Sequence, residues 1–351
     1  MPVRCIDDIA IFEELKPEWE KIYQADPTAH IFVSWPWLRG YFDVARYRWI
    51  ILAFSPEPAA PYTAFLPLTV ETRLPARENV LRIGGAPVAD YTGLICLPGD
   101  ENAAIPAFAE YLKHELAWDT FHLKDVLDPR LEKFLQEFSG APYAVEAAGQ
   151  ISCPSISLPD TWDRYLEEIV GWKIRKNIRY YTRKIEALEN FRVSRIQDEN
   201  FDSQIETLLS RWADRWGEKP DIYRAIFRRC FDDDRFTLTI FWDADTPVAA
   251  LAAFVDGPKK TLSDFLTWYN TDYAKLSPGM VIHAYSIREA IENGMLIYDF
   301  LRGREEYKYA LGATERLTST HIIRRRTLKR IVKQWIKKWL APRRQIEQAR
   351  R

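Results

Sequence analysis

TLSDFLTWYNTDYAKLSPGMVIHAYSIREAIENGMLIYDFLRGREEYKYAL, residues 261–311, lays out one structural unit from end to end. Its β-branched and aromatic residues from Leu262 to Tyr269 predict a strand. A loop follows and ends in Ser277-Pro278-Gly279. A helix runs from Pro278 to Asn293 and stops at Gly294. A second strand, Leu296–Leu301, carries Asp299, and a turn through Gly303 leads to Tyr307 and Lys308. Ser277 is expected to cap the helix. Pro278 suits the first helical position, where a missing N–H is no loss. Gly279 leaves the backbone bare where the helix presents free N–H groups, a geometry that can hold a phosphate or carboxylate. An ordinary capped helix is the alternative for the same residues.

Upstream, strands Phe236–Trp242 and Pro247–Val255 complete a meander with the strand ending at Tyr269. Helices are expected over 202–215 and 221–230, with a strand over 191–196. A basic helix from Trp172 to Leu188 sets Ile174, Ile178, Tyr181, Ile185 and Leu188 on one face and Arg175, Arg179 and Arg183 on another. The segment Gly149–Pro159 reads as a domain junction. Before it come helices at 12–23 and 35–44, the latter capped by Ser34. Strands follow at 49–54 and 62–71. Residues 81–97 read as irregular except for a short strand at Gly93–Cys96. A helix at 103–116, a strand at 121–126, a helix at 129–138 and a strand near 143–146 complete this half. A last strand near 316–323 closes the second half. Hairpin strands in the middle of each half, with helices between the later strands, make the class α+β. The expected units are residues 1–150, 160–323 and a tail, 324–351.

The elements Trp268-Tyr269, Asp272-Tyr273, Ser277-Pro278-Gly279, Gly294, Tyr298-Asp299-Phe300, Gly303 and Tyr307-Lys308 resemble the Fem-type branch of the GNAT acyltransferase superfamily. In particular, they resemble the CelD-like proteins of bacterial exopolysaccharide and cellulose gene sets. A weaker resemblance runs through Arg175–Leu188 and the N-terminal half. It implies two tandem GNAT-like domains with mixed, largely antiparallel sheets, and an acyl-transfer activity. It also implies that the donor, acyl-CoA and first of all acetyl-CoA, lays its pyrophosphate on the helix start, so that Lys275, Ser277, Gly279 and Met280 bind it. The usual GNAT loop holds more glycine than this one, and Fem-type relatives use other donors. A Fem-like transferase fed by charged tRNA, or a non-catalytic scaffold of a membrane polysaccharide-synthesis complex, are the alternatives.

Three residues are candidates for the chemistry. Asp299 ends a strand where open-sheet sites collect and can orient or deprotonate an acceptor. Tyr269 can protonate a leaving thiolate, a role the resemblance supplies. Lys308 can stabilise an oxyanion or donor phosphate. Trp268, Tyr273, Arg304, Tyr307 and Arg179 are the candidate substrate-binding residues. His283 reads as a packed or surface histidine. No Ser-His-Asp or Cys-His set is visible, which favours direct attack over a covalent acyl-enzyme.

Composition bounds the rest. The chain has 351 residues, enough for two cores, with 47% hydrophobic and 28% charged residues. Its 4 cysteines and 5 histidines show no metal spacing, so no metal is expected. The start carries acids and no apolar core, so no secretory signal is read, and the expected location is cytoplasmic. Residues 324–351 carry twelve Lys or Arg against one Glu, a charge of +11 that leaves −12 on residues 1–323. Leu328, Ile331, Val332, Trp335, Trp339 and Leu340 recur at helical spacing among those cations. That pattern predicts a basic amphipathic helix and, through residues 324–340, a peripheral contact with anionic membrane at its inner face. A helix docked on the body is the alternative, and nucleic acid other than tRNA is disfavoured by the acidic body. The acceptor is expected to be a sugar, nucleotide-sugar or cell-envelope precursor.

Overall fold

A computed structural model of the chain describes residues 2–75, 77–217 and 220–326. The first half runs β1 (Val3–Ile6), α1 (Ile9–Glu14), α2 (Lys16–Ala25), α3 (Trp35–Asp43), β2 (Arg48–Phe54), β3 (Ala64–Arg73), β4 (Glu78–Ile83), β5 (Ile95–Cys96), α4 (Glu101–His114), β6 (Thr120–Val126), α5 (Leu131–Gln136) and β7 (Tyr143–Ser152). The second half begins with β8 (Ser155–Ser157) and α6 (Trp162–Arg164), which passes into a π turn. It continues with α7 (Trp172–Glu186), β9 (Phe191–Arg195), α8 (Phe201–Trp216) and α9 (Pro220–Phe231). Then come β10 (Phe236–Asp243), β11 (Thr246–Asp256), β12 (Thr261–Tyr269), α10 (Pro278–Glu292), β13 (Ile297–Asp299), α11 (Glu306–Ala310) and β14 (Leu317–Arg325).

The two sheets repeat one plan. In the first the order is β1-β2-β3-β4-β6-β14-β7, with β5 beside β3; in the second it is β8-β13-β12-β11-β10-β9. Each half has an antiparallel meander followed by a helix that crosses to a parallel strand: α4 between β4 and β6, α10 between β12 and β13. Parallel neighbours need such a crossover, because a tight turn can only reverse the chain. The fold is α+β with two mixed, largely antiparallel sheets, as the sequence led one to expect.

The junction is more entangled than the sequence suggested. β7 continues through Gly149 to Ser152, so the passage between sheets shrinks to Cys153 and Pro154. β8 then pairs with β13 of the second sheet. Reciprocally, β14, expected to close the second half, inserts between β6 and β7 of the first. Arg324 and Arg325, assigned to the tail by their charge, lie in that strand, where Arg324 pairs with Glu146 at 3.1 Å. The expected tail helix falls on residues 327–351, outside the described residues. Residues 78–83 form β4 rather than an irregular stretch, because Val80, Leu81 and Ile83 are buried between β3 and β6. The first helix breaks in two at Leu15, where Pro17 opens α2.

Three apolar clusters hold the layers. One lies between the halves, where α1–α3 meet α8, α9 and the inner face of the second sheet, with Trp19, Phe32, Trp37, Phe227 and Phe254 at its centre. The second packs α4 and α5 on the outer face of the first sheet. The third packs α7, α10 and α11 on the outer face of the second. No helix among the described residues is long and apolar enough to cross a membrane.

Candidate active site

β12 and β13 pair for only three residues, ending at Ser263 with Asp299. β12 runs on to Tyr269 while the chain after Asp299 turns away toward α11. Just past the last pair, Phe265 is an extra residue against β11, a bulge that bends the strand further. A wedge therefore opens between two strands that began side by side, and α10 covers it.

The wedge is a cavity of about 620 Å³ lined by Thr267 and Tyr269 from β12, Ser277, Pro278, Gly279, Met280 and His283 from α10, and Glu305, Tyr307, Ala310 and Leu311 from the α11 side. The start of α10 forms one wall. Ser277 accepts no side-chain capping bond; it sits instead in the left-handed region with φ 51°, which turns the chain from a 3₁₀ turn (Thr271–Leu276) into the helix. The amides of Gly279 and Met280 belong to the first helical turn, which has no intrahelical acceptor for them. Gly279 also lies close against a neighbouring ring. A β-carbon there would sit 3.1 Å from the Tyr269 ring, so its bareness seats that ring against the helix.

His283, read from the sequence as a packed or surface histidine, lies beside Asp264, which the sequence did not single out. His283 Nδ1 lies 2.9 Å from Asp264 Oδ2, a contact of ion-pair length whose angle falls short of a straight N–H···O bond. Thr267 donates its hydroxyl to the other carboxylate oxygen at 2.9 Å. The imidazole stacks on Tyr307 with ring centres 4.9 Å apart. One signal was legible: an acid inside the apolar strand TLSDFLTWY must find a partner once buried.

Of the candidates named from sequence, Tyr269, Ser277, Gly279, Met280 and Tyr307 meet in this cavity. The others do not line it. Asp299 is buried at the seam between the halves, where it accepts from Tyr91 Oη at 2.9 Å and from Arg316 at 2.6 Å. Its neighbour Arg302 bridges Asp90 and Asp125 of the first half, each at 2.8 Å. Lys308 is buried beneath the turn before α11; its ammonium donates to Arg302 O at 2.8 Å and pairs with Glu305 at 2.9 Å. A lysine so occupied holds a turn and presents no free charge to an oxyanion. Arg304 pairs with Glu315 at the surface, and the Tyr273 hydroxyl bonds Asp243. Trp268 packs against the central cluster, with Arg211 over its ring, and Lys275 precedes the helix without lining the cavity. Arg179 lines a second groove, of about 500 Å³, between α7 and α10.

All four cysteines are free, and burial raises every thiol, Cys96 and Cys153 to about 12. Thiols held protonated are poor nucleophiles. Among the described residues no group of three or more His, Cys, Asp or Glu is gathered as metal ligands.

Residues 173–309 match the acetyltransferase (GNAT) domain family, a span that holds the whole wedge. No curated protein matches the sequence. Solved structures share the fold at low identity. FemX superposes with a TM-score of 0.66 at 10% identity, over 92% of this chain and 98% of that one. L-PGS from Bacillus licheniformis gives 0.58 at 10% identity, over 90% and 92%. A tandem GNAT protein from the clavulanic acid biosynthesis pathway gives 0.52 at 11% identity, over 93% and 99%. Residues 173–309 are thus similar to the GNAT acetyltransferase domain family, and the chain as a whole shares the fold of a tandem GNAT protein.

Proposed function

We propose that this tandem GNAT-fold transferase moves an acyl group, acetyl first among the candidates, from a thioester donor in the wedge to an amine or hydroxyl. The acceptor would be a sugar, nucleotide-sugar or cell-envelope or exopolysaccharide precursor, in the manner of CelD-like proteins. The observation that carries the reading is the cavity opened by the splay of β12 from β13, closed by the start of a 15-residue helix. Two amides and the positive helix end favour an anionic group there. Tyr269, Tyr307, Ala310 and Leu311 supply walls of mixed polarity for the acyl-bearing arm. With each thiol held protonated by burial, the acceptor would attack the thioester directly. Lys275 is the cation nearest in sequence to the helix start, and we assign it the donor's outer phosphates.

The test is calorimetric titration of acetyl-CoA into the wild type and Met280→Glu. A carboxylate in the first turn of α10 would repel the donor's phosphates and should weaken binding at least tenfold, with unchanged far-UV dichroism. Equal affinities, or no binding to the wild type, would sink the acyl-CoA assignment. A second reading, a Fem-like transfer from aminoacyl-tRNA, draws on the likeness to FemX and L-PGS. Binding of charged tRNA with no binding of acetyl-CoA would select it. The basic tail is the proposed contact with anionic membrane, and the expected location is the cytoplasm and the inner membrane face.

A further inference from the structure

A carboxylate buried in an apolar sheet is costly unless it is paired. Asp264 is 7% exposed, and among the described residues no Lys or Arg pairs with it. Its partners are the Thr267 hydroxyl and the His283 ring, itself 4% exposed. A structural pair would serve packing alone wherever it stood. This one stands beside the Phe265 bulge, one residue beyond the last β12–β13 pair, at the throat of the wedge. A thioester arm entering past the start of α10 would bring its reactive end toward that throat.

Resting on the acyl-transfer reading above, we propose that His283, held by Asp264, is the proton-handling group of the reaction in this cavity. The carboxylate 2.9 Å from Nδ1 favours the proton on that nitrogen, and among the described residues no hydrogen bond involves Nε2, which is left to meet a molecule bound in the cavity that His283 lines. As the acceptor heteroatom bonds to the thioester carbonyl carbon, its proton passes to Nε2, and Asp264 stabilises the imidazolium. As the carbon–sulfur bond breaks, the same proton goes to the departing sulfur. Amine or alcohol plus thioester becomes amide or ester plus thiol, with no other reactant. Tyr307 stacked on one face of the ring, and Phe300 edge-on at 5.8 Å, fix its plane.

Other polar groups stand around the ring. From β12 there are Asp264, Thr267 and Tyr269; from β13, Tyr298, whose phenol burial keeps protonated; from the α11 side, Tyr307 and Glu305, the latter paired with Lys308. Among the described residues Asp264 is thus the one charged group in ion-pair contact with the imidazole. Replacing it by Asn removes the carboxylate that holds the ring.

The experiment uses the full chain and acetyl-CoA, with water as the acceptor and thiol release as the readout, alongside calorimetry. His283→Gln should cut thiol release about 100-fold while leaving acetyl-CoA affinity within about threefold. Asp264→Asn should also slow release while leaving acetyl-CoA affinity within about threefold, a split between turnover and binding that a packing role would not give. Wild-type release in both variants would overturn the assignment. So would a His283→Gln protein that no longer binds acetyl-CoA but melts normally, which would make the ring a wall. An arm that needs no donor separates this idea from the acyl-CoA reading. Nitrogen-15 NMR of the free protein should show His283 protonated on Nδ1, and Asp264→Asn should change that tautomer. An unchanged tautomer overturns the pair even if acetyl-CoA binds, and a changed one upholds it even if acetyl-CoA does not.

Discussion

At the scale of single residues, burial redefines what a side chain is for. Lys308 was a candidate because ammonium groups stabilise oxyanions, yet a lysine buried under a turn spends its donors on backbone carbonyls. Asp299 looked like a strand-end acid and proved to be the hub of a seam between halves. His30 shows burial acting on acid stability. It is enclosed near Tyr91, Asp26 and the guanidiniums of Arg130 and Arg316, and burial lowers its pKa to about 4. An unfolded histidine titrates near 6.5, so between these values the unfolded chain binds the extra proton. Stability therefore falls as pH drops from about 6.5 toward 4, by about 2 kcal/mol at pH 5 for this one group. Raised carboxyls such as Glu20 and Asp256 respond in the opposite sense, so the comparison must be with a variant. In urea unfolding at pH 7 and pH 5, His30→Leu should lose less stability on acidification than the wild type. Equal losses would show that His30 contributes nothing.

At the scale of elements, the packing of helix on helix sets limits that periodicity does not show. α3 and α9 come from opposite halves and cross at Gly40, where an added β-carbon would sit 2.7 Å from Ile226 Cα. Backbone cannot retreat as a flexible side chain can. Gly40→Ala should raise helix propensity and still destabilise the fold, by about 1–3 kcal/mol from overpacking. Urea midpoints measure it, and a stabilised variant would mean that the two helices do not touch there. α10 makes the same point differently. Its length and its stop at Gly294, φ 70°, follow from local residues. That its second turn aims His283 at Asp264, 19 residues earlier in the chain, depends on the bulge at Phe265 and the splay of β12.

At the scale of the molecule, the reciprocal exchange of β8 and β14 makes each sheet depend on the other half. Removing residues 327–351 leaves every described strand whole. Removing residues 317–351 takes the strand between β6 and β7. The first truncation should melt within about a degree of the full chain, and the second several degrees lower, given that 1 kcal/mol moves Tm by about 2 °C or more in a domain of this size. The same pair tests the tail. The full chain should sediment with liposomes containing anionic lipid, less so as salt rises, and the 327–351 deletion should not. If the short deletion lowers the melting temperature by several degrees and neither form binds lipid, the tail docks on the body instead.

The sequence alone determined the class, the meander, the wedge's two strands and the helix between them. Those features follow from propensity, periodicity and breaker residues acting within a dozen positions. It also placed five of the cavity's residues, because they flank one loop and one turn. What it could not determine depends on contacts between distant segments. Strand partnership put β14 in the first sheet, since a strand's hydrogen bonds are satisfied equally well by either edge and only the packing of both halves chooses. Burial gave Asp299 and Lys308 their partners at the seam and under the turn, and it brought His283 to Asp264, because a buried charge takes whatever partner the fold delivers.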